Sequence, residues 1–276
     1  MEMDFLPIST VEKRSLYTAI MVEPREHPAM EFVLLNILEN LNADWSVVLL
    51  HGNKNLNFIQ RILENHPSMV PRIQLVHLEI DNLLQMEYSD LFFEPRFYEY
   101  IPTEMFLVFQ TDSMIIPENK DKINKFMEYD YVGGPWPASN GDVPFQVGNG
   151  GFSLRRKSKM LELLSHRDAE YLKHTNIRYG NKYYIEDLFF SGCYHENIEL
   201  KKPTYKKAME FSAEAEYGIE PFGVHSVWKY PYIYESLVYK YPIIQELTII
   251  NLRYSAILSN LPSKTTTNRF FSYASL

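Results

Sequence analysis

Five short segments hold the side chains of this 276-residue chain that could do chemistry: VEPREHP (Val22–Pro28), FQTDSM (Phe109–Met114), VGNGGFSLR (Val147–Arg155), IEDLFFS (Ile185–Ser191) and PFGVHSVWKY (Pro221–Tyr230). FQTDSM sets Asp112 just after an apolar run that reads as a strand. A carboxylate there can project into the crevice at a strand's carboxyl end and hold a divalent cation that neutralises a diphosphate. The same residue could instead cap a turn through its own side chain. In VGNGGFSLR, the missing side chains at Gly150 and Gly151 let a sugar or phosphate lie against backbone N–H groups, and Asn149 can both donate to and accept from hydroxyls. A tight turn needing positive φ explains one or two of these glycines, but less readily Gly148, Gly150 and Gly151 together.

Glu186 and Asp187 fall where a helix should start. The helix dipole keeps a carboxylate ionised there, while burial beside Phe189 and Phe190 pushes its pKa up. A general base for a hydroxyl proton needs substrate access and some such tuning; a helix N-cap is the simpler reading of the pair. His225, between Phe222 and Trp228, could complete a metal site with Asp112 or be a core imidazole bonded to backbone. Arg25 could pair with phosphate, stack on a base, or stand on the surface. Trp136 and Trp228 could stack on a sugar face or fill core. The other histidines show no HxxxH or HExxH spacing, and neither GxxxxGK[ST] nor GxSxG occurs. Cys193 lies too far from a paired motif to argue for a thiol nucleophile.

Positioning these groups falls to alternating strands and helices. Leu16–Val22 is an apolar run of the kind buried on both faces of a sheet. Pro28 suits the first turn of a helix with Phe32, Leu35, Ile37, Leu38 and Leu41 as its apolar positions. Trp45–Leu50, Ile73–Ile80 and Met105–Phe109 read as strands and Phe58–Leu63 as a short helix. That order predicts a mostly parallel sheet with helices on its faces, binding ligands beyond the strands' carboxyl ends. Six of the 11 glycines fall between Tyr131 and Gly151, so that stretch reads as turn and loop. Helices are expected at Arg156–Ser165, from Glu186, and over Ile243–Leu261, with Ser263–Leu276 a polar tail.

Composition narrows the class. With 46% hydrophobic and 22% charged residues, the chain can bury a full core. Its net charge of −8 argues against affinity won by sheathing nucleic-acid phosphates, so an anionic ligand needs a local site. A lone cysteine, Cys193, suits a reducing compartment. Met1–Arg14 lack the apolar core of a secretion signal, and no run reaches the roughly 18 uninterrupted apolar residues of a membrane span. A soluble, cytoplasmic protein is expected.

YDYVGGPWP (Tyr129–Pro137), VGNGGFSLR, EDLFFS, AMEFSAEAEYG (Ala208–Gly218) and PFGVHSVWKY, in that order, resemble an uncharacterised family of glycosyltransferase-like domains of the GT-A fold. The likeness runs from about Leu16 to Tyr230. It implies an α/β, GT-A-like nucleotide-binding fold with a mostly parallel mixed central sheet flanked by helices. A single domain over 1–262 would have a nucleotide-binding half near 15–117, an acceptor and catalytic half near 129–240 and a C-terminal helix near 242–261. More distantly, the chain resembles inverting galactosyltransferases of that fold, which use a UDP-sugar. That resemblance places the first-strand motif on Glu23 and Arg25 and the metal motif on Asp112. It places the Gly-Gly segment on Gly150 and Gly151, the acidic pair on Glu186 and Asp187, and the metal-binding histidine on His225. Gln110 stands where that motif has its first acid, leaving Asp112 as its only carboxylate.

The resulting expectation is a glycosyltransferase moving a sugar from a nucleotide donor, foremost a UDP-sugar, to a hydroxyl of a glycan, protein or small molecule. Asp112 and His225 would hold Mn²⁺ or Mg²⁺, and Asp187 or Glu186 would be the base. Glu23, Arg25, Asn149, Gly150, Gly151 and Trp136 would contact the donor. A non-catalytic nucleotide-sugar or glycan-binding module fits Gln110; a nucleotidyltransferase lacks its basic triphosphate loop here.

Overall fold

The computed structural model describes residues 6–7, 15–137, 147–166, 185–192 and 198–260. The tail beyond 262 and the middle of the glycine-rich stretch, 138–146, lie outside them. Among the described residues, strands β1 (Leu6–Pro7), β2 (Tyr17–Val22), β3 (Trp45–His51), β4 (Ile73–His77), β5 (Met105–Phe109), β7 (Tyr131–Gly133) and β8 (Phe152–Arg156) form one sheet, ordered β1-β4-β3-β2-β5-β8-β7. β4, β3, β2 and β5 run parallel, while β1, β8 and β7 are antiparallel to their neighbours.

Burial on both sides explains the unbroken apolar runs. Ala19, Met21, Val47, Leu49, Leu107 and Phe109 join one core with helix α1 (Met30–Asn40) and helix α2 (Leu56–Asn65). Their neighbours Ile20, Val22, Val48, Leu50, Phe106 and Val108 join a second core. Helices α3 (Gln85–Phe93), α4 (Lys157–Ser165) and α5 (Glu186–Gly192) supply its other side. The chain ends its described course in α6 (Pro231–Lys240) and α7 (Ile243–Asn260). No helix among the described residues is long and apolar enough to cross a membrane.

Two local expectations are corrected. Pro28 precedes α1 rather than sitting in its first turn, because His27 accepts the Met30 amide through its carbonyl and the Ala29 amide through Nδ1, closing a separate turn. The strand expected over Ile73–Ile80 stops at His77, where the Ile80 amide folds back to the Leu78 carbonyl.

A second sheet joins β6 (Ser113–Ile115), β10 (Gly223–His225) and β9 (Ser212–Ala213). β10 runs antiparallel to β6 with Ser113 opposite His225, and parallel to β9 with Val224 opposite Ala213. Three facts of register therefore set the site. The loops after β2 and β5 leave the same carboxyl edge, because these strands are parallel. Phe152 pairs with Phe109, which brings Gly150 and Gly151 to that edge. The β6–β10 ladder carries His225 to Asp112.

Candidate functional site

The turn after β5 is built around Ser113. Its buried hydroxyl accepts the Gln110 amide at 2.9 Å and donates to the Gln110 carbonyl at 2.9 Å. Asp112 accepts hydrogen bonds from its partners across the small sheet: the Ser226 amide donates to its carbonyl at 2.9 Å and the Ser226 hydroxyl to its carboxylate. Ser226 is the described non-glycine residue with a left-handed backbone, at φ 49°. That conformation costs of order 1 kcal/mol and persists where surrounding contacts over-determine it.

His225 Nε2 lies 3.3 Å from Asp112 Oδ1, and Nδ1 lies 3.4 Å from Glu214 Oε1. Both pairs are close enough for charge attraction, yet neither ring nitrogen has a hydrogen bond of good alignment. Burial opposes the charge on His225, but Asp112 and Glu214 outweigh it and push the imidazole up to about 10. Burial likewise opposes ionisation of Asp112. His225, Lys229 and the Ser226 hydroxyl nonetheless hold its carboxyl far below the usual range.

After β2, Glu23 is wholly engaged by Arg25. Its Oε1 accepts the Arg25 amide at 3.0 Å and Nε at 2.7 Å, and Oε2 accepts Nη2 at 2.8 Å. The Asn55 amide ties both backbones down, donating to the carbonyls of Glu23 at 2.8 Å and Arg25 at 3.0 Å. His27 is buried and lowered to about 4 by that burial, so it is neutral, with Nδ1 as acceptor and the Tyr254 ring of α7 at its edge, 4.4 Å between centroids. Asn251, one turn earlier on α7, donates to the Thr111 carbonyl at 3.0 Å.

The glycine loop meets both halves. The Gly148 and Asn149 amides donate to the Gly134 carbonyl at 3.2 and 3.0 Å, and Asn149 Oδ1 accepts the Gly151 amide at 3.0 Å. Trp136 packs its ring tip on Gly148, where a Cβ would come within 2.8 Å of it. Gly150 donates its amide to Asp187 Oδ2 at 3.2 Å. A Cβ on Gly150 would lie 2.4 Å from Glu186 Oε1, and one on Gly151 would lie 2.2 Å from His225 Nε2. Asp112, His225, Gly150, Gly151, Glu186 and Asp187 are thus brought together.

Glu186 and Asp187 then diverge. Glu186 forms a buried bidentate pair with Arg155, at 2.7 and 3.2 Å, with side-chain exposures of 5% and 0%. The guanidinium also lies 4.9 Å from the Phe92 ring and 5.1 Å from the Tyr131 ring, and donates to the Gly150 carbonyl at 3.3 Å. Asp187 is half-buried, with Oδ1 accepting the Leu188 amide at 2.7 Å. Burial, and then the charge of Glu186, push it up to about 7. A carboxylate so tuned can exchange a proton with a hydroxyl near neutral pH.

Arg155, Glu214, Ser226, Lys229 and Tyr254 were given no role from sequence. The first four lie within the recognised segments, which was the available signal; Tyr254 lay in plain helical periodicity. Among the described residues no group of three or more His, Cys, Asp or Glu is arranged to hold a metal ion.

A family model described as protein of unknown function (DUF5672) matches residues 72–225, more than half of the chain. No curated protein matches the sequence. Among solved structures, the chain is similar to galactosyltransferase LgtC in complex with donor and acceptor sugar analogues. The TM-score is 0.51 at 9% identity, over 75% of this chain and 86% of that one. Mouse xyloside xylosyltransferase 1 gives 0.46 at 11% identity, over 79% and 99% of the two chains. Mannosyltransferase PcManGT from Pyrobaculum calidifontis, in complex with GDP-Man and Mn²⁺, gives 0.41 at 15% identity over 59% of this chain. The chain spans 50% of that protein's length. The likeness to LgtC shows that the layered arrangement is a GT-A-type fold.

Proposed function

The chain belongs to the DUF5672 family, and we propose that it is a glycosyltransferase that moves a sugar from a nucleotide donor, foremost a UDP-sugar, to an acceptor hydroxyl with inversion. One observation carries this reading: the Gly150–Gly151 dipeptide touches Asp187 on one side and His225, the partner of Asp112, on the other. A base and a diphosphate-binding group on either side of a surface without side chains are what in-line displacement at a sugar carbon needs. The likeness in fold to LgtC, a galactosyltransferase solved with donor and acceptor sugar analogues, supports the sugar-transfer part of this reading.

Asp187 takes the acceptor proton; its position is set by the Gly150 and Leu188 amides. Glu186, engaged by Arg155, supports that position rather than sharing the role. Arg25 offers the diphosphate its Nη1 face, since Glu23 occupies Nε and Nη2, and Lys229 adds positive charge beside Asp112. Asp112 and His225 fit a divalent cation in spacing. Two neighbouring ligands of an octahedral ion stand about 3 Å apart, close to the unaligned 3.3 Å between Nε2 and Oδ1. With one carboxylate and one imidazole, the rest of the shell would come from phosphate oxygens and water. Such an ion, when bound, supplies Lewis-acid stabilisation of the departing diphosphate.

Thermal-shift screening against nucleotide sugars with and without Mn²⁺ tests donor and metal together, because a ligand of the native state raises apparent stability. Incubation with the selected donor and product analysis then test transfer. Asp112→Asn should abolish transfer in a variant that circular dichroism shows to be folded, although it is less stable for want of the ion pair with His225; undiminished turnover would remove Asp112 from the mechanism. Gly151→Ala should also disable the site, since His225 must move to admit the methyl group. A turnover loss of less than about tenfold, roughly 1.4 kcal/mol, would show the close approach to be unimportant. Gln110, standing where the metal motif has its first acid, favours one second reading, a binding module without turnover. It predicts the thermal shift but no product.

A further inference from the structure

Glu214 has no part in the chemistry above, yet the small sheet places it opposite His225. β9 and β10 pair in parallel with Gly223 opposite Ser212 and Val224 opposite Ala213, and the next step of that register sets His225 against Glu214. Glu214 Oε1 lies 3.4 Å from His225 Nδ1, on the side of the ring away from Asp112, and both side chains are about nine-tenths buried. The other oxygen, Oε2, has no hydrogen-bond partner among the described residues, and none of them donates to this carboxylate in competition with His225.

An ionised carboxylate can only accept a hydrogen bond, and the partner of one imidazole nitrogen decides what the other can do. Histidines that ligate metals almost always give their second N–H to a carboxylate, carbonyl or water. We propose that Glu214 is a positioning residue: when a divalent cation bound with a nucleoside diphosphate displaces the Nε2 proton of His225 to solvent, Glu214 keeps the other proton on Nδ1 and so turns Nε2, beside Asp112 Oδ1, toward the ion. The inference rests on the cation site read above and adds to it the group that orients the ring. It also gives a role to a buried acid in the AMEFSAEAEYG segment.

The test titrates Mn²⁺ into the full chain in the presence of UDP by calorimetry, comparing wild type, Glu214→Gln and Glu214→Ala, each checked for folding by circular dichroism. Glu214→Ala should weaken Mn²⁺ binding by about 10- to 100-fold. Glu214→Gln, whose amide oxygen still accepts from Nδ1, should recover most of that loss. With diamagnetic Mg²⁺ and UDP, long-range ¹H–¹⁵N spectra should show His225 protonated at Nδ1 and bare at Nε2 in wild type, a preference the Ala variant loses. A folded Ala variant with wild-type Mn²⁺ affinity and an unchanged His225 spectrum would overturn the role of Glu214 alone. Wild type that fails to bind Mn²⁺ with UDP would instead overturn the cation site and this inference with it.

Discussion

Asp187→Asn is expected to slow sugar transfer by about 10²- to 10⁴-fold, the usual worth of a positioned general base, while nucleotide-sugar binding persists. The wild-type pH profile supplies the companion result. Asp187 is raised to about 7 by burial and by Glu186, so kcat/KM should climb as pH rises through that region and level off above it. Stability should move the other way. Between its ordinary value of 3.8 and about 7 the folded carboxyl holds a proton that the unfolded chain has lost, so its contribution is full below that window and is lost across it as pH rises. Asn cannot ionise, and the variant should therefore be more stable than wild type at pH 8, by on the order of 2 kcal/mol after allowing for partial solvent access and a lost hydrogen bond. Transfer rates across pH and urea melts at pH 5 and 8 check both halves. A variant that keeps wild-type turnover would assign the base elsewhere.

Arg155→Met should be the most destabilising single change, at about 3–5 kcal/mol, because it strands the Glu186 carboxylate in a buried aromatic setting. Glu186→Gln added to it removes the stranded charge and should restore much of the loss. The double variant should still transfer sugar poorly, since the guanidinium also holds the Gly150 carbonyl and so helps place the amide that meets Asp187. Urea unfolding of the two single variants and the double variant forms the cycle that measures the coupling. A cost under about 1 kcal/mol for Arg155→Met would mean that water reaches Glu186.

What the sequence disclosed depended on how local the signal was. The parallel strands were legible because burial on both faces demands unbroken apolar runs such as Trp45–Leu50. The C-terminal helix was legible to within a residue or two from its periodicity. By contrast β6, β9 and β10 are two or three residues long, too short for any period to register, and they exist because distant segments pair. The acidic pair was found by type and place, but only packing assigns Glu186 to Arg155 and Asp187 to the glycine loop. Tyr254 escaped notice because an apolar stripe does not reveal that one ring meets His27 in another part of the chain.

The two strands that present Asp112 and His225 impose an order on biosynthesis. The parallel core can pair once residue 109 has emerged, but Asp112 meets Ser226 only 114 residues later. Contacts so far separated along the chain form late and slowly. A nascent polypeptide would therefore carry its parallel strands for some time before Asp112 and His225 meet. Ribosome-stalled intermediates ending near residue 200 should display the sheet and capture neither metal nor donor.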